Sequence, residues 1–155
     1  CWTVASEGMV YIVAPDRAIT SIDISTGQEL WRTKAHQVRE AIGISEDGSR
    51  VYAKCMNDTL FAFSSTSSTA ELVWATHCGY GYDIDPSMPM EKDGTVFFGH
   101  KNGTVFALDS KTGVIRWQHK LGNTIVNTVS PIDSNRVVAT DFDGRIVLIE
   151  NKPEE

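Results

Sequence analysis

Only three of the 155 residues are cysteine and five are proline, and no run of about 18 apolar residues occurs. No helix of this chain is therefore expected to span a membrane. The odd set Cys1, Cys55 and Cys78 gives no disulfide framework. Cys55 and Cys78 read as small buried or half-buried hydrophobes, and a bridge between them stays open. Positive charge is scarce: 14 Lys and Arg against 20 Asp and Glu leave a net charge of −6, which argues against nucleic acid or an anionic membrane surface as partner. The glycine-rich fingerprints of dinucleotide and nucleotide-phosphate sites are missing, as is the Gly-x-Ser-x-Gly elbow of the hydrolases. The chain has no initial Met and no signal-peptide pattern, and it starts in strand-like sequence at Cys1-Trp2-Thr3-Val4. A trimmed or partial chain is expected from that start. A lipid-bearing Cys1 is the weaker reading, because such a residue ordinarily precedes a polar tether.

What the chain does contain is a repeat. Thr104 to Leu108 alternates β-branched and aromatic residues as a strand does, Asp109 to Gly113 has turn chemistry, and Val114-Ile115-Arg116-Trp117 begins a second strand. The pattern stands upstream as Ser21-Ile22-Asp23-Ile24-Ser25-Thr26-Gly27-Gln28-Glu29-Leu30-Trp31. A looser copy runs from Ala62-Phe63-Ser64 to Glu71-Leu72-Val73-Trp74, with a longer turn and no Gly. Trp31, Trp74 and Trp117 fall at equal intervals of 43 residues. A period of about 40–50 residues with several short strands in each unit is the signature of a propeller blade.

Ala107-Leu108-Asp109-Ser110-Lys111-Thr112-Gly113-Val114-Ile115-Arg116-Trp117 resembles the tryptophan-docking motif of the quinoprotein (pyrroloquinoline-quinone-type) propeller repeat. Gly27, Gly113, Trp31, Trp74 and Trp117 take its marker positions and are assigned structural roles by the resemblance. The fold it implies is all-β: a β-propeller of four-stranded antiparallel blades. Strand and turn signals place four blades at about 2–35, 39–77, 83–120 and 125–150, the last without an outer strand. Complete rings of the family have seven or eight blades. The chain is therefore expected to be half a ring, its missing blades supplied by upstream sequence or by a second copy. Residues 151–155 read as a solvated terminus.

Binding residues collect on loops of rigid scaffolds, and blade-to-blade crossovers line the rim of a propeller's funnel. The richest crossover is His77-Cys78-Gly79-Tyr80-Gly81-Tyr82-Asp83-Ile84-Asp85-Pro86. With the matching segments 36–40 and 122–127 it yields the candidate binding residues Arg39, Glu40, Tyr80, Tyr82, Asp83, Asp85 and Asn127. The bland alternative is that they only cap the ring. The hairpin turns Asn102-Gly103 and Asp143-Gly144 are expected on the opposite face. His36, His77 and His119 follow the blade tryptophans, but at offsets of five, three and two residues, so on strands they point in different directions and no metal site is assigned. Asp141-Phe142-Asp143-Gly144 lacks the further ligands of a calcium loop and reads as a turn.

Quinone dehydrogenases of this superfamily place a vicinal cysteine pair beneath the cofactor, and this sequence has no adjacent cysteines. No cofactor, metal or catalytic residue is assigned. The resemblance implies a non-catalytic binding or scaffolding module, extracytoplasmic in a bacterium, that holds a protein partner or small ligand at its funnel. The alternatives are the propeller appendage of a larger enzyme (phosphoesterase or kinase-related) and, less favoured, a fragment of a quinone-dependent dehydrogenase.

Overall fold

The structure is a computed structural model, and it describes residues 3–34, 38–55, 57–66, 68–79 and 86–152, with the backbone but not the side chains of Arg39 and Glu40. Fifteen strands and no helix lie among the described residues. They form four antiparallel sheets, each built from strands consecutive in sequence. Blade 1 comprises β1 (Thr3–Ser6), β2 (Met9–Val13), β3 (Ile19–Asp23) and β4 (Glu29–Thr33). Blade 2 comprises β5 (Val38–Ile44), β6 (Arg50–Cys55), β7 (Thr59–Ser65) and β8 (Ala70–His77). Blade 3 comprises β9 (Met90–Lys92), β10 (Thr95–Gly99), β11 (Thr104–Asp109) and β12 (Ile115–Lys120). Blade 4 has three strands, β13 (Val126–Pro131), β14 (Arg136–Asp141) and β15 (Ile146–Glu150). The chain divides into two compact units, residues 1–84 with blades 1 and 2, and 85–155 with blades 3 and 4.

One row of side chains repeats across the first three sheets. The registers align Tyr11, Ser21 and Trp31 in blade 1. They align Tyr52, Ala62 and Trp74 in blade 2, and Phe97, Ala107 and Trp117 in blade 3. The middle residue is small and fully buried each time. That lets the flanking rings lean together above it, with centroids 5.9, 5.8 and 5.8 Å apart. Such tilted pairs add stabilisation beyond their buried area. Immediately after each small residue the pairing with the outer strand bulges. The bulge leads into the turn that the motif's Asp and Gly build. Asp109 Oδ1 accepts from the Lys111 and Thr112 amides, both at 2.9 Å, and Gly113, at φ 74°, donates back to the Asp109 carbonyl. In blade 2, which lacks the Gly, Thr66 takes over: its amide donates to the Thr69 carbonyl and its Oγ1 accepts from the Thr69 amide.

Within each unit one blade packs its tryptophan face on the back of the next. Tyr11, Val13, Ile19 and Trp31 join Ile42, Val51, Ala53, Phe61 and Phe63 in one core. Phe97, Val105 and Ala107 join Val126, Val129, Val137, Ala139 and Ile149 in another. Trp31 also reaches across with its indole: Nε1–H donates to the Thr66 carbonyl at 3.1 Å, and Tyr11 Oη lies 2.6 Å from Ser65 Oγ. Trp117 packs against Phe97 and the blade 4 core, but its Nε1 is buried without an acceptor.

The two tryptophans should therefore respond differently to substitution. Trp31→Ala empties a core position and is expected to cost about 3–5 kcal/mol. Trp31→Phe should lose about 1 kcal/mol with its hydrogen bond, whereas Trp117→Phe removes a donor that has no partner and should be close to neutral. Denaturant melts of the three variants check this; equal losses for the two Phe variants would contradict it.

Candidate functional site at the crossover end

Hydrogen bonds sort the loops of every blade into two ends. At one end the first hairpin turn meets the turn that precedes the outer-strand position. Ile24 donates to the Gly8 carbonyl, Ser65 to Ser49, Ser110 to Gly94 and Asn151 to Asn135, at 2.8–3.0 Å. At the other end the second hairpin turn meets the crossover. Val38 donates to Arg17, Cys78 to Asp58, Leu121 to Gly103, and Phe142 to the Ile125 carbonyl, at 2.7–3.1 Å. The turns at Asn102-Gly103 and Asp143-Gly144 thus share the end of the crossovers, not the opposite face expected from sequence. The contact is intimate: a Cβ on Gly103 (φ 84°) would stand 2.3 Å from the Gly122 carbonyl oxygen.

The sequence candidates fall as follows. Tyr80, Tyr82, Asp83 and Asp85 lie outside the described residues. Arg39 and Glu40 belong to β5, where the register slips between Val38 and Ile42, so extra residues oppose β6. Asn127 occupies the same kind of place in blade 4: the register slips between Val126 and Thr128, and Asn127 is exposed on the bulge. Bulges of this sort re-aim side chains away from the regular ladder. All three residues sit near the crossover end of the first strand of their blade. His36 lies outside the described residues as well, and among the described residues no group of three or more His, Cys, Asp and Glu could hold a metal ion.

Sequence reasoning identified the turn at Asp141-Phe142-Asp143-Gly144 but gave it no part in the site. Asp141 is buried and organises it, accepting from the Asp143 and Arg145 amides at 3.0 Å each and from Arg145 Nη1 at 3.3 Å. The Arg145 amide, foremost, holds the Asp141 carboxyl below the usual range. The anchored guanidinium lies over Gly122, where a Cβ would come within 1.9 Å of Nη1. At the tip, Phe142 is 60 % exposed. The exposed Phe142 ring and the Arg145 guanidinium therefore stand on one turn, with Gly122 of the crossover beneath the guanidinium. The one sequence signal was a Phe at the turn position that is Pro15, Met56 or Lys101 in the other copies. In blade 1 the same end holds Asp16, paired with Arg32 at 2.5 Å and Lys34 at 2.9 Å; these partners push its carboxyl well down.

The thiols do not suit a quinone site. No disulfide joins Cys55 and Cys78. Burial pushes the Cys55 thiol up to about 12 and the Cys78 thiol up to about 11. Neither is a nucleophile near neutral pH, since the thiolate is the reactive form. The two stand on separate strand ends, with no vicinal pair in the sequence to clasp a quinone ring.

A family model described as "Outer membrane protein assembly factor BamB" matches residues 3–73 and again 66–152. A curated relative with that same description, from Burkholderia pseudomallei, is 27 % identical over 150 residues, which cover 97 % of this chain and 36 % of the relative. The chain thus spans about a third of that relative's length. The computationally designed protein Ika4 superposes with a TM-score of 0.81 at 22 % identity, over 97 % of this chain and 89 % of that one. The β-propeller domain of Cps50 (Swd1) from Myceliophteria thermophila gives 0.78 at 9 % identity, over 97 % of this chain and 50 % of that one. These two solved structures share the fold.

Two outcomes follow. In a Cys1→Ser background at pH 8, a disulfide reagent should label Cys55 and Cys78 slowly in the native state and at once in denaturant. Fast native labelling would contradict the burial. At the opposite end, burial pushes the Asp109 carboxyl up, but the Arg116 guanidinium at 2.6 Å and the turn amides outweigh it and hold it at about 2 against an ordinary 3.8. A depressed carboxyl stabilises the fold above its unfolded value and loses that contribution as pH falls through the folded one. Asp109→Asn should accordingly cost about 1 kcal/mol at neutral pH, after solvent screening, and flatten the stability profile between about pH 4 and 2. An unchanged acid limb would remove the ion pair's role.

Proposed function

Because the chain belongs to the family of the outer membrane protein assembly factor BamB, we propose that it is a non-catalytic propeller module of the bacterial cell envelope that binds a protein partner at the crossover end of its blades. The observation that supports this most directly is the family match, which runs over both units and therefore over the blades that carry the site. The chemistry of the site agrees. Protein interfaces draw most of their energy from a few aromatic and arginine side chains set among polar neighbours. Phe142 and Arg145 are such a pair, held on a turn whose Asp141 is locked by three hydrogen bonds. In the second unit Asn127 stands on the bulged first strand of the same blade, and in the first unit Arg39 and Glu40 stand on a bulged first strand at the corresponding end of blade 2.

A surface that recognises protein needs a rigid frame more than reactive groups. The three aromatic rows supply it, and the crossovers are tied to neighbouring turns by backbone hydrogen bonds rather than left loose. Tyr80, Tyr82, Asp83 and Asp85 are added to the proposal from the sequence alone, as residues of the crossover that follows β8. A small ligand in a funnel is the rival for this surface.

Site-specific photo-crosslinking in a bacterial envelope separates the two. A crosslinking residue at Phe142, Asn127 or Tyr82 should give discrete protein adducts that mass spectrometry identifies. The same residue at Lys111, in the turn at the other end of blade 3, should give none. Adducts at Lys111 alone, or none at any position, would overturn the assignment.

A further inference from the structure

A guanidinium is a fork of N–H donors, and its Nε and Nη2 form the side-on edge that meets a carboxylate with two parallel bonds. In three arginines of this chain one of those two atoms is already engaged within the molecule. Arg32 Nη2 meets Asp16 at 2.5 Å, Arg116 Nη2 meets Asp109 at 2.6 Å, and Arg136 Nε meets Asp133 at 2.7 Å. Arg145 differs. Both of its ion pairs are made by Nη1, to Asp141 Oδ2 at 3.3 Å and, more loosely, to Asp143 Oδ2 at 3.8 Å. Its Nε and Nη2 meet no acceptor among the described residues, and the side chain is 48 % exposed.

The open edge is held in place. Asp141, buried, accepts from the Arg145 amide as well as from Nη1. The guanidinium lies over the crossover that arrives from blade 3, where a Cβ on Gly122 would stand 1.9 Å from Nη1. Phe142, on the same turn, is 60 % exposed. That exposure belongs to the turn position: Pro15, its counterpart in blade 1, is exposed as well, although blade 2 packs on blade 1. The charges around the edge are unevenly placed. Asp143 is half exposed beside it. Residues 100–104 and 119–127, the blade 3 turn and the crossover that bonds to it, contain Lys101, His119 and Lys120 but no Asp or Glu.

We propose that Arg145 receives on its open Nε–Nη2 edge the side-chain carboxylate of an Asp or Glu from the partner protein, with a neighbouring apolar side chain of that partner set against Phe142. The inference rests on the reading of this end as a protein-binding surface and names the chemistry that the surface selects. A carboxylate fits because it meets the planar fork with two charge-assisted bonds, which a point charge or a lone carbonyl does not reproduce. A cationic segment is refused by the guanidinium and by the basic turn and crossover next to it. A wholly apolar segment would cover the fork and leave its donors unmet, which is costly. Asp143 works against an incoming carboxylate, and this gives the proposal a sign that can be read.

An NMR titration of the chain with two blocked tripeptides, acetyl-Phe-Glu-Leu-amide and acetyl-Phe-Gln-Leu-amide, tests this through the Arg145 Nε–H resonance, assigned by its loss in Arg145→Lys. The Glu peptide should move that resonance and bind about tenfold more tightly than the Gln peptide. Arg145→Lys keeps the charge but removes the fork, and should erase most of the difference. Gly122→Ala displaces only the end of a flexible side chain, so it should weaken the Glu peptide while backbone amide signals away from the crossover stay in place. Asp143→Asn removes a like charge and should tighten the Glu peptide about twofold. Equal affinity for the two peptides, an Arg145 resonance that does not move, or a Glu peptide weakened by Asp143→Asn would each overturn the proposal. Where Gly122→Ala disturbs the fold, the other two variants decide. Crosslinked protein at Phe142 together with equal peptide affinities would keep the protein partner and remove the carboxylate. A Glu-selective edge with no adducts at Phe142 would keep the carboxylate chemistry and remove a protein as its source.

Discussion

The structure depends on a ring leaning over a small residue. Trp31, Trp74 and Trp117 each come from the outer strand of a blade, and each lies against an aromatic residue two strands away. This is possible only because Ser21, Ala62 and Ala107 leave room between them. A larger side chain there would hold the rings apart. The row fixes the register of three strands together, since a slip of one residue would turn every member to the other face. It also flattens one side of the sheet into a surface that the next blade can cover. In blade 1 the indole adds a directed bond to that cover, from Trp31 to the Thr66 carbonyl. Packing within a blade and docking between blades are thus the work of the same side chain.

Turn chemistry follows from the same row. The bulge after each small residue carries the strand out of register as it approaches the outer turn. Asp23 and Asp109 then collect amides, and Gly27 and Gly113 take the left-handed conformation that closes the loop. Blade 2 reaches the same result with Thr66, whose hydroxyl and amide bond Thr69. The longer, glycine-free turn of the second copy is therefore a bonded turn, and it supplies the acceptor for Trp31. Composition registered its polarity but not its place beneath an indole.

The repeat was legible because its signals are local and chemically distinctive: tryptophans at a fixed interval, Asp and Gly at fixed offsets, alternation in between. What was not legible was which loops share an end. Asn102-Gly103 and Asp93-Gly94 look alike as turns, yet the first joins the crossover and the second joins the outer turn. Only long-range hydrogen bonds separate them. Phe142 escaped notice for a related reason. Its neighbours Asp141, Asp143 and Gly144 satisfy every local rule for a turn, so the residue that those rules do not need went unweighed. Arg39, Glu40 and Asn127 were chosen as candidates from the order of crossovers, and the bulges that carry them gave no sign in the sequence.

Blade 4 shows what happens where the governing row is altered. Leu148 stands where Ala or Ser would admit an indole, and Val138 where an aromatic ring would meet it. A tryptophan brought opposite Leu148 would find its place already filled. The opposite side of the same sheet keeps the family arrangement, since Val137, Ala139 and Ile149 pack on Phe97 and Val105 as blade 2 packs on blade 1. One sheet therefore has two faces of different kinds, one packed on the aromatic row of blade 3 and one aliphatic and largely exposed at Ile146 and Leu148. Repetition builds the frame, and the departure from repetition at Leu148 distinguishes the last described face from those within the frame.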